Sequence, residues 1–389
     1  MSPKGTSSLS IVFMPWAEFR TEFAVGPVHF WPFAYRATER IQDLSVLGYL
    51  RRFFKCFVDC TSIPVDSITV CSLGDMNFRQ YTDAEFEQIR RAVDAVVFAA
   101  IAPANKTAVR SDNTSLGPPS ADRFVLYTRN FDPADNTISV RQGHSLHSYD
   151  NMEEVHFTRP FGLGGYFWST DNELLCGFGR LLQDDTLRDL TERLFRSLEW
   201  FRLAHTESDS LTWMTKVAMM ATAFEILLAF PPNAQKKKEY FAKYINRECR
   251  DDDSVTETRN DQNGRPHEGT KAAWWAWDFY DLRSHILHGD VVPPDSLRYV
   301  RWVTQLIVAD LVMWEVVVRQ LFSHRCVGDR VRECAKKWVA DLGGDVEDFQ
   351  KLMLAGMLGF GFDDYHRALG WLPPLRCRDY EEQPGNGVA

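Results

Sequence analysis

Asp278-Phe-Tyr-Asp-Leu-Arg-Ser-His-Ile-Leu-His-Gly289 places Arg283 and His288 five residues apart, with Ser284 directly after the arginine. Upstream, residues 272–280 are rich in Trp and Ala; Trp274, Trp275, Trp277 and Phe279 are too bulky and too close together for a solvent loop. The spacing predicts a buried helix over 271–288, ending where Gly289 can take the left-handed conformation just past a helix end. Five residues of regular helix turn about 500°, which leaves Arg283 and His288 about 140° apart in azimuth and about 7.5 Å apart along the axis. They do not share a stripe. Both can border one cleft at a helix end, or a cleft shared with a second copy of the same helix.

An arginine is permanently charged and offers a planar fork of donors that suits a phosphate. A histidine takes and returns a proton near neutral pH. Together they are parts for cleaving RNA without a metal. A base removes the 2′-hydroxyl proton, the 2′-oxygen attacks the adjacent phosphorus, and a cation stabilises the developing charge. The plainer reading makes Arg283 a surface ion-pair residue and His288 a helix-capping histidine.

The segment Leu282-Arg-Ser-His-Ile-Leu-His-Gly289 resembles the R-x4-H motif of HEPN-domain ribonucleases, in particular the ApeA-like HEPN proteins with their Y-x-L-R-S-x-I-x-H-G pattern. Ala221-Thr-Ala-Phe-Glu-Ile-Leu-Leu228 resembles the apolar helix with one glutamate that precedes the motif in that family, and residues 250–270 fall where such proteins carry a variable insert. The resemblance covers about residues 186–325. Ser284 stands where many HEPN nucleases have Asn or Asp; its hydroxyl can still bind a phosphate oxygen, more weakly. The resemblance implies a metal-independent endoribonuclease with no cofactor, acting in bacterial defence against phage by abortive cleavage of host RNA, with tRNA among the candidates; a cytoplasmic location is expected from the lack of a signal-peptide core and of a membrane-spanning stretch. It also implies an active site shared across a homodimer or an even-numbered homo-oligomer. Within it, Arg283 and His288 would be catalytic, Ser284 would assist, and Glu225 would orient Arg283.

Glu225 also carries its own argument, because a carboxylate inside an apolar helix is costly unless paired. It is expected either in a buried bridge to an arginine such as Arg283 or as a direct part of the chemistry. Residues 236–250 read as a basic helix with Lys236, Lys237, Lys238, Lys243, Arg247 and Arg250. The first five are candidates for steering RNA phosphates; the alternative is a solvated face. The tryptophans of 271–288 are expected to give apolar surface to a two-fold contact, or else to fill the monomer core.

Length and composition agree with this class of protein. The 389 residues suffice for two cores, the hydrophobic content is 45%, and the formal charge is −9. That charge argues against a wholesale nucleic-acid coat but leaves room for a local basic patch. The N-terminus has no apolar signal core, and the apolar helix expected over 302–322 is interrupted by Gln305, Asp310, Glu315 and Arg319, so no membrane span is expected. Eight scattered cysteines, with no C-x2-C pair, read as free thiols. Cys56 and Cys60, four apart on an expected helix, would need two more ligands to hold a metal.

The expected architecture is α+β, with a mixed α/β sensing or regulatory domain over 1–183 and an all-α HEPN helical bundle with a C-terminal helical extension over 184–389. In the first part, strands are expected at 10–14, 22–31 (broken at Gly26-Pro27), 67–71, 124–129 and 137–141. The last two are expected to form a hairpin through 132–136. Helices are expected over 41–58 and 82–101, the second opened by a Thr82/Glu85 capping box and stopped at Pro103. Residues 105–121 read as an exposed loop, and Gly162–Gly165 as a turn. His144, His147 and His156 have the look of metal ligands, but nothing fixes a complete set, and surface histidines are the simpler account. In the second part helices are expected over 186–205, 210–230, 236–250, 271–288 and 295–322, then over 329–341, 346–357 and 365–369, with 251–270 a mobile segment. Two competing functions remain beside the nuclease. One is a catalytically idle HEPN module that binds nucleotide or a partner protein; the other is a metal hydrolase built on His144 and His147. For the nuclease itself, a phage or regulatory protein trigger is expected at the first domain.

Overall fold

The computed structural model describes residues 9–19, 21–34, 41–59, 62–75, 77–110, 120–134, 136–142, 145–158, 172–206, 211–248, 256–260, 264, 266–290 and 302–328. In chain order the elements are β1 (Leu9–Met14), β2 (Phe23–Val25), β3 (Val28–Ala34), α1 (Leu44–Phe54), β4 (Phe57–Val58), β5 (Ser67–Leu73), α2 (Asp83–Arg110), β6 (Tyr127–Phe131), β7 (Ile138–Gln142), β8 (Ser145–Tyr149) and β9 (Phe157–Thr158). They continue with α3 (Asn172–Gln183), α4 (Arg188–Ala204), α5 (Trp213–Leu227), α6 (Ala234–Glu248), β10 (Thr256–Asn260), β11 (Pro266–Thr270), α7 (Lys271–His288) and α8 (Trp302–Ser323). Helices and strands are mixed, so the class is α+β. No helix among the described residues is long and apolar enough to cross a membrane.

The chain divides into two compact units, one drawn from residues within 1–101, 119–212 and 321–327, the other built mainly on 213–320. Helices α3 and α4, on either side of the expected 183/184 division, both belong to the first unit.

The first unit centres on an antiparallel sheet in the order β2-β3-β5-β1-β6. Five successive residues of β1, Ser10 to Met14, are buried, so both faces of this strand are covered. Ile11 and Phe13 join Trp31, Phe33, Ile68 and Val70 in a core closed by Leu47, Leu50, Phe53 and Phe54 of α1. Phe13 is the hinge of that core, with Phe53 at 5.6 Å and Phe57 at 5.3 Å, both edge-on, a favoured geometry for aromatic pairs. Asp43 caps α1 by accepting from the Ser45 and Val46 amides. The turn between β2 and β3 puts Gly26 at φ +59° against Gly179 of α3, where a side chain on either residue would collide with the other's backbone.

Helix α2 starts as expected: Thr82 Oγ1 accepts from the Glu85 amide, and Glu85 accepts from the Thr82 amide at 2.9 Å. It does not stop at Pro103 but runs to Arg110, so residues 105–110, expected in a loop, are helical. A proline inside a helix costs about 3 kcal/mol, which the many turns before it outweigh here. The expected hairpin over 124–141 is also corrected. Strand β6 pairs with β1, and β7 pairs with β8, so consecutive strands go to different sheets. Turn residues at 132–136 signal a reversal, not which partner follows it. Helix α3 was not anticipated, because its sequence begins at an Asp-Asn pair that reads as a turn.

In the second unit Phe224 of α5, Phe241 of α6 and Trp275 and Phe279 of α7 form one aromatic core, with Phe224–Phe241 centroids 4.7 Å apart and Trp275–Phe279 4.9 Å apart. This unit is not all-α. Residues 256–260 and 266–270, expected to be mobile, form the β10–β11 hairpin in register from Thr256↔Thr270 to Asn260↔Pro266. It lacks core-forming residues of its own and holds on through α7: Arg259 lies 4.8 Å above the Trp274 ring, and His267 lies 5.5 Å from Trp277. The expected turn at 162–165 and the expected helices at 329–341, 346–357 and 365–369 lie outside the described residues, as do Cys60 and His144.

Asp94 of α2 is buried, and Arg202 of α4 donates to it through Nε at 2.5 Å. Burial pushes its carboxyl up to about 6, against the opposing pull of Arg202. The folded state therefore holds the Asp94 proton to higher pH than the unfolded chain does. Between about pH 4 and pH 6 stability from this group falls as pH rises, by on the order of 3 kcal/mol in all. Urea midpoints measured at pH 4.5 and pH 7 for the wild type and for Asp94→Asn should show the variant lacking that component of the slope.

Candidate active site

Helix α7 is tied at both ends. Thr270 caps it, its Oγ1 accepting from the Ala273 amide at 3.2 Å, while its own amide donates to Asn246 Oδ1 of α6 at 3.0 Å. At the other end Gly289 takes φ +75°, as the sequence predicts, and the Gly289 and Asp290 amides return to the Ile286 and His285 carbonyls. The last turn, with His285 and His288, is therefore held in helical form up to the edge of the unit.

Arg283 and Tyr280 are one turn apart and face the same carboxylate. Arg283 Nη2 lies 2.8 Å from Glu225 Oε1, and the Tyr280 hydroxyl donates to that oxygen at 2.7 Å. Glu225 Oε2 is taken by Lys237 Nζ of α6 at 2.6 Å. One acidic side chain of α5 thus gathers a donor from α6 and two from α7. The Arg283 guanidinium also sits 5.4 Å from the Tyr280 ring centroid, and its buried Nε has no hydrogen-bond partner among the described residues. Burial, reinforced by the Glu225 carboxylate, pushes the Tyr280 hydroxyl up, so it stays a neutral donor. The expected bridge from Glu225 to Arg283 is present; Lys237 and Tyr280 were not anticipated in it. Their signal was the helical spacing of Tyr280 and Arg283.

A second set of charges lies along another side of α7. Lys238 Nζ is 2.7 Å from Asp281 Oδ1 and 5.3 Å above the Trp277 ring. Asp278 lies 3.7 Å from Arg259. Burial raises its carboxyl to about 6, with Arg259 opposing and Asp281 adding to the rise. Further along, His285 Nδ1 is 2.9 Å from Asp290 Oδ2, and its Nε2 is 3.6 Å from Asp281 Oδ2. Reading the motif as R-x4-H passed over His285.

His288 is exposed at the end of α7 and makes no hydrogen bond or ion pair to a described residue, while Ser284 is half-buried beside Arg283. The structure does not gather Arg283 and His288 in one cluster within the chain: the arginine points to Glu225, and the histidine stays in solvent. The five basic candidates of α6 divide. Lys237 and Lys238 are engaged by Glu225 and Asp281, whereas Lys236, Lys243 and Arg247 face solvent, Arg247 beside Glu248 at 2.6 Å. Trp274 and Trp275 are buried inside the unit, so they fill its core and offer no surface to a second copy; Leu287, next to His288, is 56% exposed.

Among the described residues no group of three or more His, Cys, Asp or Glu side chains is placed to hold a metal ion. His147 and His156 are exposed, and Cys56, Cys71 and Cys326 are buried free thiols. Comparison with protein families, with curated proteins and with solved structures returns no match.

Removing the Glu225 carboxylate would leave Arg283 and Lys237 as two nearly buried cations facing each other. Glu225→Ala is expected to lower stability by about 2–4 kcal/mol. Glu225→Gln, which keeps an acceptor for Tyr280, should lose less; chemical denaturation followed by circular dichroism checks both.

Proposed function

We propose that the protein is a metal-independent endoribonuclease of the HEPN kind, cutting RNA by attack of the 2′-hydroxyl. The observation that supports this reading best is the end of α7. It presents an exposed His288 one residue before a left-handed glycine, on the same helix as an arginine whose position is set by a glutamate. In this reading His288 takes the 2′-hydroxyl proton, Arg283 stabilises the phosphoryl charge, Ser284 binds a phosphate oxygen, and Glu225 is the positioning residue for Arg283. Lys236 and Lys243 remain available to hold the RNA strand, with Arg247 nearby on the same helix beside Glu248. The wider role is an abortive-infection effector in defence against phage, cytoplasmic, with tRNA among its candidate substrates and with the first unit as its sensing or regulatory part.

A second reading has a specific observation in its favour. Arg283 is turned inward and paired with Glu225, which suits a catalytically idle HEPN module that binds nucleotide or a partner protein. Activity separates the two. Cleavage products should carry 2′,3′-cyclic phosphate and 5′-hydroxyl ends and should form in EDTA. His288→Ala should lower the rate by about two to four orders of magnitude while the fold survives, since the side chain is exposed. Cleavage by the variant at the wild-type rate would remove His288 from the chemistry.

Because Arg283 and His288 diverge on one helix, two copies facing across a two-fold axis would bring two Arg–His pairs to one cleft. Leu287 is the apolar residue placed for that contact. Light scattering of the active species is expected to show twice the chain mass of 44.8 kDa, or a higher even multiple; an active monomer would rule out the shared cleft.

A further inference from the structure

We infer that His285 is a second catalytic histidine, the group that delivers a proton to the 5′-oxygen leaving group; the inference rests on the ribonuclease reading above. His285 and His288 are three positions apart, so their Cβ atoms are neighbours on the helix surface, about 5–6 Å apart. Both residues are exposed at the end of α7.

His285 has a carboxylate on one ring nitrogen, a partner that His288 does not have among the described residues. Asp290 Oδ2 accepts from Nδ1 at 2.9 Å, and this fixes both the ring orientation and the nitrogen that exchanges its proton, Nε2. A carboxylate on the far nitrogen is the arrangement that holds an imidazole in one tautomer and stabilises its charged form during a reaction. Asp290 itself is placed by the reversal of chain at Gly289, its amide donating to the His285 carbonyl at 3.0 Å. Asp281 Oδ2 faces Nε2 at 3.6 Å, beyond hydrogen-bond reach, while Lys238 takes the other oxygen, Oδ1, so Nε2 makes no hydrogen bond to a described residue. Nε2 is therefore open to a ligand.

The step balances without any further reagent. The 2′-oxygen–phosphorus bond forms as the phosphorus–5′-oxygen bond breaks. The 2′ proton passes to His288, and the proton on His285 Nε2 passes to the 5′-oxygen. The products are the cyclic phosphate and the 5′-hydroxyl, and exchange with water restores both rings.

The test uses the full-length protein and an oligoribonucleotide containing a junction the wild type cuts, made with either oxygen or sulfur at the 5′-bridging position. A thiolate leaves without protonation, so it bypasses the acid. His285→Ala should cut the oxygen substrate about 10²–10⁴-fold more slowly than wild type, yet cut the sulfur substrate within a few fold of it. Asp290→Asn, which keeps an acceptor for Nδ1 but removes the carboxylate charge that stabilises the imidazolium, should show a smaller loss with the same rescue. His288→Ala should be slow on both. Wild-type rates for His285→Ala on the oxygen substrate, or equal losses on both substrates, would overturn the inference while leaving the nuclease standing. A wild type that cuts no RNA would overturn the nuclease reading and this inference with it.

Discussion

Arrangement of the second unit depends on the Glu225 carboxylate. Placed in an otherwise apolar stretch of α5, it would be costly alone, and it is compensated by Lys237 from α6 and by Tyr280 and Arg283 from α7. These contacts are directional, whereas the surrounding Phe224, Phe241, Trp275 and Phe279 packing is not. A turn-sized slip of α7 along its axis could keep much of the aromatic burial but would separate Arg283 and Tyr280 from their acceptor. The carboxylate therefore sets the register of three helices, and the position of the Arg283 guanidinium follows from it.

Lys237 and Lys238 show how adjacent residues serve different sides of this junction. They are about 100° apart on their helix. One reaches Glu225, at the buried junction; the other reaches Asp281, on the side of α7 that carries Asp278 and His285. Two cations of the basic helix are thus neutralised at its junction with the other helices and Arg247 is paired with Glu248, so among the described residues of this helix the charge left for a polyanion rests on Lys236 and Lys243. A basic run in sequence overstates the field it projects when acidic residues from another helix stand opposite it.

The hairpin β10–β11 and the histidine His285 make the same point about context. Neither has apolar side chains to announce it. The hairpin gains its order from a backbone ladder and from Arg259 and His267 resting on the tryptophans of α7, a long-range arrangement. His285 gains its partners from Asp281, one turn earlier, and from Asp290, beyond the helix end. Only the second of these required knowing that the chain turns back at Gly289.

Local signals were sufficient for much of the structure. The Trp-rich run with its terminal glycine was enough for α7 and its left-handed cap, the Thr82/Glu85 pair for the start of α2, and the lone glutamate for a bridge to Arg283. In each case the determining contacts lie within a few residues or the penalty for leaving a charge unpaired is large. Tertiary structure decided the rest. Strand partners for β6 and β7, the choice of Lys237 over its neighbours at Glu225, the burial of Trp274 and Trp275, and the Asp290 anchor on His285 all depend on which segments meet in space. Neither periodicity nor turn chemistry encodes that, because many pairings satisfy the same local pattern and the packed core selects one.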